Sequence, residues 1–323
     1  MNILVFGKNG QLGKAFQSVF DSKGLGELHQ IQYVGRTQCD IGNEGALTAF
    51  LQQTKPNIII NAAAYTAVDQ AEKEVDLAYA INAKAPEIMA HYAIERGATL
   101  LHYSTDYVFD GTKANPYLES DVRNPLGIYG KSKAAGEAAI EDAFKHHHKE
   151  QAQFAILRTS WVYGDGNNFI RTILHLAKER ETLKVVANQY GVPTSALWLA
   201  SISLALMLDE NHHLRSFPSG IYHAVPQGET TWHALACYAV QVAIVAGATL
   251  KLCTDQIEAI PASEYPLPAP RPMNSRMARL ALDALMINNL ECSGDMPKWQ
   301  EWQQSWHMSV GAYVRDLVTK QLI

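Results

Sequence analysis

Tyr129 and Lys133 stand four residues apart in a stretch with helical character. On a helix, residues at that spacing share a face, so a phenol and an ammonium could point into one cleft. A neighbouring ammonium favours the phenolate, which predicts a tyrosine pKa below its ordinary value of about 10. Such a tyrosine can exchange a proton with a substrate oxygen at neutral pH. Thr105, where the apolar run from Leu100 breaks at Ser104-Thr105-Asp106, could hydrogen-bond the same oxygen. The pair by itself equally describes a solvated helix face. Of the fourteen tyrosines, however, only Tyr129 has a lysine four residues on, and the elements around it must decide.

Those elements begin at residue 2. The apolar run Asn2–Phe6 reads as a strand, Gly7, Gly10 and Gly13 follow at three-residue spacing, and a helical pattern opens at Leu12. A strand, a glycine turn and a helix let backbone and helix N-terminus approach a pyrophosphate, which points to a dinucleotide. A second apolar segment, Ile31–Val34, ends at Gly35-Arg36. An acidic residue there would favour NAD; Arg36 could pair with a 2′-phosphate and leans the cofactor toward NADPH over NADH, or is simply solvated. Asp40-Ile41 lies where an adenine could be clamped. A third strand, Pro56–Asn61, is apolar and β-branched like a buried parallel strand. It runs into Ala62-Ala63-Ala64-Tyr65, where small residues leave room for a cofactor or reflect tight packing.

Residues 76–97 read as a long helix interrupted at Pro86. Asn82 within it either faces the cleft or uses bonding groups the proline frees. Ala98–Tyr103 is a fourth strand, and a loop through Gly111, Pro116 and Pro125 leads to the Tyr129 helix, which runs to about Ala143. A fifth strand, Phe154–Leu157, precedes Arg158–Gly164. Alternating strands and helices predict an α/β fold, a doubly wound parallel sheet of Rossmann type with its cleft at the strand C-terminal ends. Every candidate residue falls at such an end.

The pattern loosens past residue 165. We expect residues 1–165 to bind the nucleotide and 166–323 to form a smaller mixed α/β region, mainly for substrate, with some segments returning to the sheet. Expected there are a helix at 167–180, strands at 183–187 and 220–225, a turn at 189–194, and helices at 196–208 and 230–246. A loop at 261–272 carries five prolines. Arg271 in that loop could grip a diphosphate bidentately or serve the surface.

With 47% apolar and 18% charged residues, the 323-residue chain has an ordinary soluble composition and room for about two domains. A net charge of −5 without a basic tract argues against a nucleic-acid surface. Cys39, Cys237, Cys253 and Cys292 show no metal-ligand spacing and read as reduced thiols of a cytoplasmic protein. The N-terminus lacks a signal peptide's basic start, and the apolar run 196–208 is too short to span a bilayer. Adjacent His146, His147 and His148 fan around a helix end, so no metal is expected.

Taken together, MNILVFGKNGQLG, NIIINAAAYTAVDQAE, HYSTDYVFDG, YGKSKAAGE, RTSWVYGDGNNF, NQYGVPT and RPMNSRM make the chain resemble the extended short-chain dehydrogenase/reductases from end to end. Among them it is most similar to the family that reduces dTDP-4-dehydro-L-rhamnose. The resemblance implies NAD(P)H-dependent reduction of the 4-keto group of that dTDP-sugar, the last step of dTDP-L-rhamnose synthesis. It implies Tyr129 as proton donor, Lys133 on the nicotinamide ribose, and Thr105 on the sugar, with Asp106, Tyr107 and Trp161 shaping the sugar pocket. Gly7, Gly10, Gln11, Leu12 and Gly13 would cradle the pyrophosphate; Asp40, Ile41, Ala63, Ala64 and Tyr65 would line the rest of the groove. Related dehydratases carry an Asp-Glu pair where Asp106-Tyr107 stands, so simple reduction is the better reading. Some members dimerise around Mg²⁺ through an acidic residue on the first helix. Lys14-Ala15-Phe16-Gln17 occupies that turn, so a homodimer here would not be metal-bridged. An epimerase, another 4-ketoreductase and a non-catalytic NADP-binding subunit are the rivals.

Overall fold

Six apolar runs become one sheet in the computed structural model, which describes residues 1–145, 151–293 and 302–323, the side chains of 288–293 excepted. They are β1 (Asn2–Phe6), β2 (Gln30–Val34), β3 (Ile58–Asn61), β4 (Thr99–Thr105), β5 (Gln153–Thr159) and β6 (Gly220–His223). All neighbours are parallel, in the order β6-β5-β4-β3-β1-β2. Every residue of β3 and β4 is buried, as expected when helices cover both faces of a parallel sheet. From β1 the chain moves outward to β2, then returns to place β3 on the other side. The order therefore reverses between β1 and β3, where open α/β sheets leave a crevice. In register, Phe6 faces Val34 and Asn61, and Thr105 faces Thr159. The residues that leave these strands, Gly7, Gly35, Ala62, Asp106 and Ser160, thus emerge along one edge.

Alternation along β1 divides the core. Ile3 and Val5 point to the face covered by α1 (Gln11–Ser22) and by two later helices; Leu4 and Phe6 point to the face covered by α2 (Glu44–Thr54) and α3 (Ala85–Arg96). The helix carrying Tyr129 is α4 (Ile128–Lys145). A second core gathers α5 (Phe169–Glu179), α7 (Trp232–Val245) and α9 (Trp306–Thr319) around paired strands Leu183–Val186 and Ile257–Ile260. Between them, α6 (Ala196–Met207) and α8 (Leu280–Ser293) pack on the sheet with α1.

Two local expectations change. The fourth strand does not break at Ser104; its pairing with β5 continues through Thr105, which lengthens the rigid support under the site. The interruption expected at Pro86 lies earlier, in a π-helical turn over Ala80–Lys84. Pro86 follows that turn directly, with Lys84 and Ala85 still helical, so the wider turn accommodates the N–H that proline lacks.

Candidate active site

A cavity of about 580 Å³ opens at the crevice. Gly7, Gly10, Gln11 and Leu12 form one wall, Arg36, Asp40 and Ile41 the far end, Ala63, Ala64 and Tyr65 the floor, and Tyr129 and Lys133 the inner end. Gly7 adopts φ +88°, and a Cβ there would come within 2.7 Å of the Ala62 carbonyl carbon. Helix α1 starts at Gly10 with neither a capping side chain nor an acid in its first turn, so its N–H groups remain for an anion. Gly13 is not on the wall; a Cβ there would lie 2.1 Å from the Gly7 carbonyl oxygen, so it seats the helix on the turn. Arg36 is exposed at the rim, its Nε 3.3 Å from Asp40 Oδ2.

At the inner end the Tyr129 phenol lies within hydrogen-bonding reach of the Thr105 hydroxyl. Thr105 Oγ1 donates to Asp106 Oδ1 at 2.9 Å and accepts from the Tyr107 amide at 3.2 Å. The Tyr107 and Tyr129 rings meet edge to face, 5.5 Å between centroids. The expected phenolate is overturned. Burial pushes the Tyr129 pKa up to about 12; Thr105 lowers it and the Asp106 charge raises it. Lys133 is buried too, which pushes it down to about 8 against the attraction of Glu137. Its Nζ donates to the Tyr103 carbonyl at 2.5 Å and lies 3.3 Å from His102 Nε2. Desolvation penalises the charged form of each, and it is the largest influence on both. At neutral pH Tyr129 is a protonated phenol, suited to give a proton.

Thr105, Asp106, Tyr107, Trp161 and Arg271 do not line the large cavity; Tyr129, which does, meets Thr105 and Tyr107. Asp106 is 2% exposed, and burial pushes its carboxyl up to about 6. Arg271, expected on a diphosphate, closes its fork on Asp69 instead, with Nη1–Oδ1 2.6 Å and Nη2–Oδ2 2.8 Å. It also acts on Tyr107. Trp161 takes φ +46° and stacks on Trp232 at 3.6 Å between centroids. A Cβ on Gly191 would reach within 2.6 Å of the Trp161 ring, so that glycine makes room for it.

Several roles here escaped the sequence reading. Asn82 neither faces the cleft nor serves Pro86. Its Oδ1 accepts from the Tyr65 amide at 2.8 Å, and its Nδ2 donates to the Tyr65 carbonyl and to Ser132 Oγ, each at 3.0 Å. Ser132 Oγ donates in turn to the Tyr129 carbonyl at 2.9 Å, so the π turn ties the cavity floor to α4. Arg158 and Glu137 form a buried bidentate pair, Nε–Oε1 2.9 Å and Nη2–Oε2 2.7 Å. Glu137 continues the four-residue repeat of Tyr129 and Lys133, a signal that was available. Asn61 and His102 lie under the lysine, and a histidine inside an otherwise apolar strand was the clue. Cys39, Cys237 and Cys253 are free thiols. His146–His148 and the Cys292 side chain lie outside the described residues.

Residues 1–301 match the family model for the RmlD substrate binding domain. Among curated proteins, the dTDP-4-dehydrorhamnose reductase of Salmonella typhimurium is 44% identical over 286 residues, 86% of this chain and 89% of that protein. Among solved structures, the dTDP-4-dehydrorhamnose reductase of Clostridium acetobutylicum superposes with TM-score 0.80 at 33% identity, covering 99% of this chain and 100% of that one. That of Bacillus anthracis, solved in complex with NADP, gives TM-score 0.76 at 32% identity over 96% of both chains.

Proposed function

The chain belongs to the RmlD substrate binding domain family, and on that premise we propose that it reduces dTDP-4-dehydro-L-rhamnose to dTDP-L-rhamnose. Tyr129 is the proton donor in this reading. The observation that carries it is the double placement of Tyr129, on the wall of the dinucleotide-sized cavity and against Thr105 and Tyr107 outside it. Only a group at that junction can serve a cofactor and a sugar together.

The cofactor assignment fits the residues present. A Cβ on Gly7 would strike the Ala62 backbone, so glycine lets the turn lie against the end of β3, and the uncapped start of α1 suits a pyrophosphate. When bound, NADPH or NADH supplies the hydride for C4. Gly7, Gly10, Gln11 and Leu12 would hold the phosphates, Asp40 and Ile41 the adenine end, and Ala63, Ala64 and Tyr65 the middle. Arg36 at the rim favours a 2′-phosphate.

Tyr129 gives its phenolic proton to the C4 oxygen as that oxygen gains charge, and Thr105 hydrogen-bonds the same oxygen. Lys133 holds the ribose beside Tyr129. Asp106, Tyr107 and Trp161 shape the sugar pocket, and Arg271 stands at its outer edge. Tyr107 follows Asp106, so no adjacent second carboxyl is supplied to drive loss of water. We divide the chain at 165/166, nucleotide side before and mainly sugar side after, with α6, β6 and α8 serving the first. No described helix is long and apolar enough to cross a membrane; a cytoplasmic site, beside soluble sugar nucleotides, completes the reading.

The test is loss of reduced-nicotinamide absorbance on adding dTDP-4-dehydro-L-rhamnose, run with NADPH and NADH separately, with dTDP-L-rhamnose identified as product. Turnover with either cofactor is expected. Epimerised or dehydrated product, or cofactor binding without turnover, would replace this function with another.

A further inference from the structure

The helix that carries Tyr129 has no means of capping its own start. Gly127, which precedes α4, has no side chain, and the first turn holds no acid. Its carbonyl nonetheless begins the helix, accepting from the Lys131 amide at 3.0 Å. The first N–H groups of a helix find no partner within it, and they carry its positive pole. Glu72, 56 positions earlier in the chain, supplies what is missing: the Ile128 amide donates to its Oε1 at 2.8 Å. A Cβ on Gly127 would lie 2.7 Å from the same oxygen, so glycine there admits the carboxylate. The roles in this bond are not open to choice, because a backbone amide only donates and a carboxylate only accepts. The backbone that presents Glu72 is itself tied down. Glu72 closes the short helical turn Val68–Ala71, which leaves the cavity at Thr66 and Ala67. On that turn Asp69 takes the Arg271 fork and, at 3.0 Å, the Ala269 amide. Beyond it Glu74 accepts from the Tyr65 hydroxyl at 2.7 Å and from Gln70 at 3.0 Å. Held on both flanks, the carboxylate can set where the helix starts instead of following it.

We propose that Glu72 is a positioning residue for Tyr129: by capping α4 from outside the helix, it fixes the residue immediately before the tyrosine and so the place of the phenol. The inference rests on the proposed role of Tyr129 in the reduction. Glu72 does not line the cofactor cavity, so it acts through the helix and not on the cofactor. Two other contacts bear on Tyr129, Ser132 Oγ on its carbonyl and the Tyr107 ring on its ring, and neither holds the Ile128 amide. The same turn that steadies the sugar-side arginine through Asp69 thus steadies the proton donor through Glu72.

The experiment uses the full chain labelled with ¹⁵N-isoleucine and ¹³Cζ-tyrosine, without substrate or cofactor. Ile128 is assigned by its loss in Ile128→Val, and Tyr129 by its loss in Tyr129→Phe. In the parent the Ile128 amide should exchange slowly with solvent. Fast exchange there would overturn the proposal, even if no Glu72 variant folds. Glu72→Ala should speed that exchange by at least about tenfold, as for loss of a hydrogen bond to a charged group, and should move the Tyr129 signal. Its kcat should fall by about 10–100-fold, the effect of misplacing a reacting group by about 1 Å, with KM for cofactor and sugar unchanged. Glu72→Gln keeps an acceptor at the same reach and should restore amide protection, tyrosine signal and kcat together. Glu72→Asp, one methylene shorter, should restore none of them. A Tyr129 signal that stays in place in Glu72→Ala would sink the proposal, as would failure of glutamine to restore it or a raised KM with kcat intact. Because the two spectra need no turnover, an inactive parent with the expected signals would count against the reaction and not against the cap.

Discussion

The two sides of Tyr129 are built differently. On the cofactor side the walls are largely backbone and small residues at strand ends: Gly7, Gly10, Ala63 and Ala64, with α1 supplying uncapped N–H groups. On the sugar side the walls are large side chains from loops, already engaged with one another: Arg271 with Asp69, Trp161 with Trp232, Asp106 with Thr105. A backbone-lined groove is shaped by the fold and suits a ligand common to many enzymes. A wall of interlocked side chains can be changed without touching the sheet, and specificity belongs there.

The largest effect should come from the residue that belongs to both sides. Tyr129→Phe keeps the ring against Tyr107 and removes only the proton. Turnover should fall by about 10²–10⁴-fold, with cofactor affinity unchanged by fluorescence titration. Retention of most of the rate would move the acid to another group and remove the junction on which the comparison turns.

Next is Asp106, where the sugar side stores strain. Its folded carboxyl titrates near 6 against an ordinary 3.8. With the folded value raised, its contribution to stability is full below the ordinary value and is lost as pH rises through 6. Asp106→Asn should therefore be more stable than the parent at pH 8, by on the order of 2–3 kcal/mol, with the gap closing toward pH 4. Urea unfolding at the two pH values measures it. An equal gap at both would assign the effect to packing and leave the carboxylate unstrained.

The same contrast decides what could be read in advance. The strands, the glycine turn and the alanines after β3 were legible because each follows from local rules: apolar β-branched runs, positive φ, room for a ligand. Even there the role of Gly13 was not legible, since packing of a helix onto its own turn leaves the same signature as a phosphate contact. The Tyr129–Lys133 spacing told correctly that both would reach one cavity, but not how deeply each would be buried, and burial reversed the expected charge of the phenol. On the sugar side the residue types were visible and their partners were not. Nothing local joins Arg271 to Asp69, Trp161 to Trp232 or Arg158 to Glu137, because those pairs exist only after the chain has folded.

Arg271 tests whether the interlocked wall itself touches substrate. Arg271→Ala should raise the KM for the dTDP-sugar by about tenfold, as for loss of a charged hydrogen bond, with the cofactor KM unchanged. Asp69→Asn frees the fork and should lower the sugar KM. If both variants raise it equally, the pair is a brace for Tyr107 and the diphosphate binds elsewhere.

The smallest effect is expected at Arg36, an exposed charged side chain at the rim of the mostly small-residue side. Its side chain is 73% exposed and, among the described residues, is paired with Asp40 at 3.3 Å. A surface pair of that kind contributes roughly 0–1 kcal/mol, so Arg36 can leave Asp40 for a 2′-phosphate at little cost. Arg36→Ala should raise the KM for NADPH by no more than about tenfold and leave that for NADH unchanged. Because the contact is solvent-facing, the difference should shrink as salt is raised, with the screening length falling from about 10 Å at 0.1 M to 3 Å at 1 M. An equal loss for both cofactors would mean that Arg36 supports the adenine end through Asp40. The cofactor side would then depend on an engaged side chain too, and the contrast between the two walls would narrow.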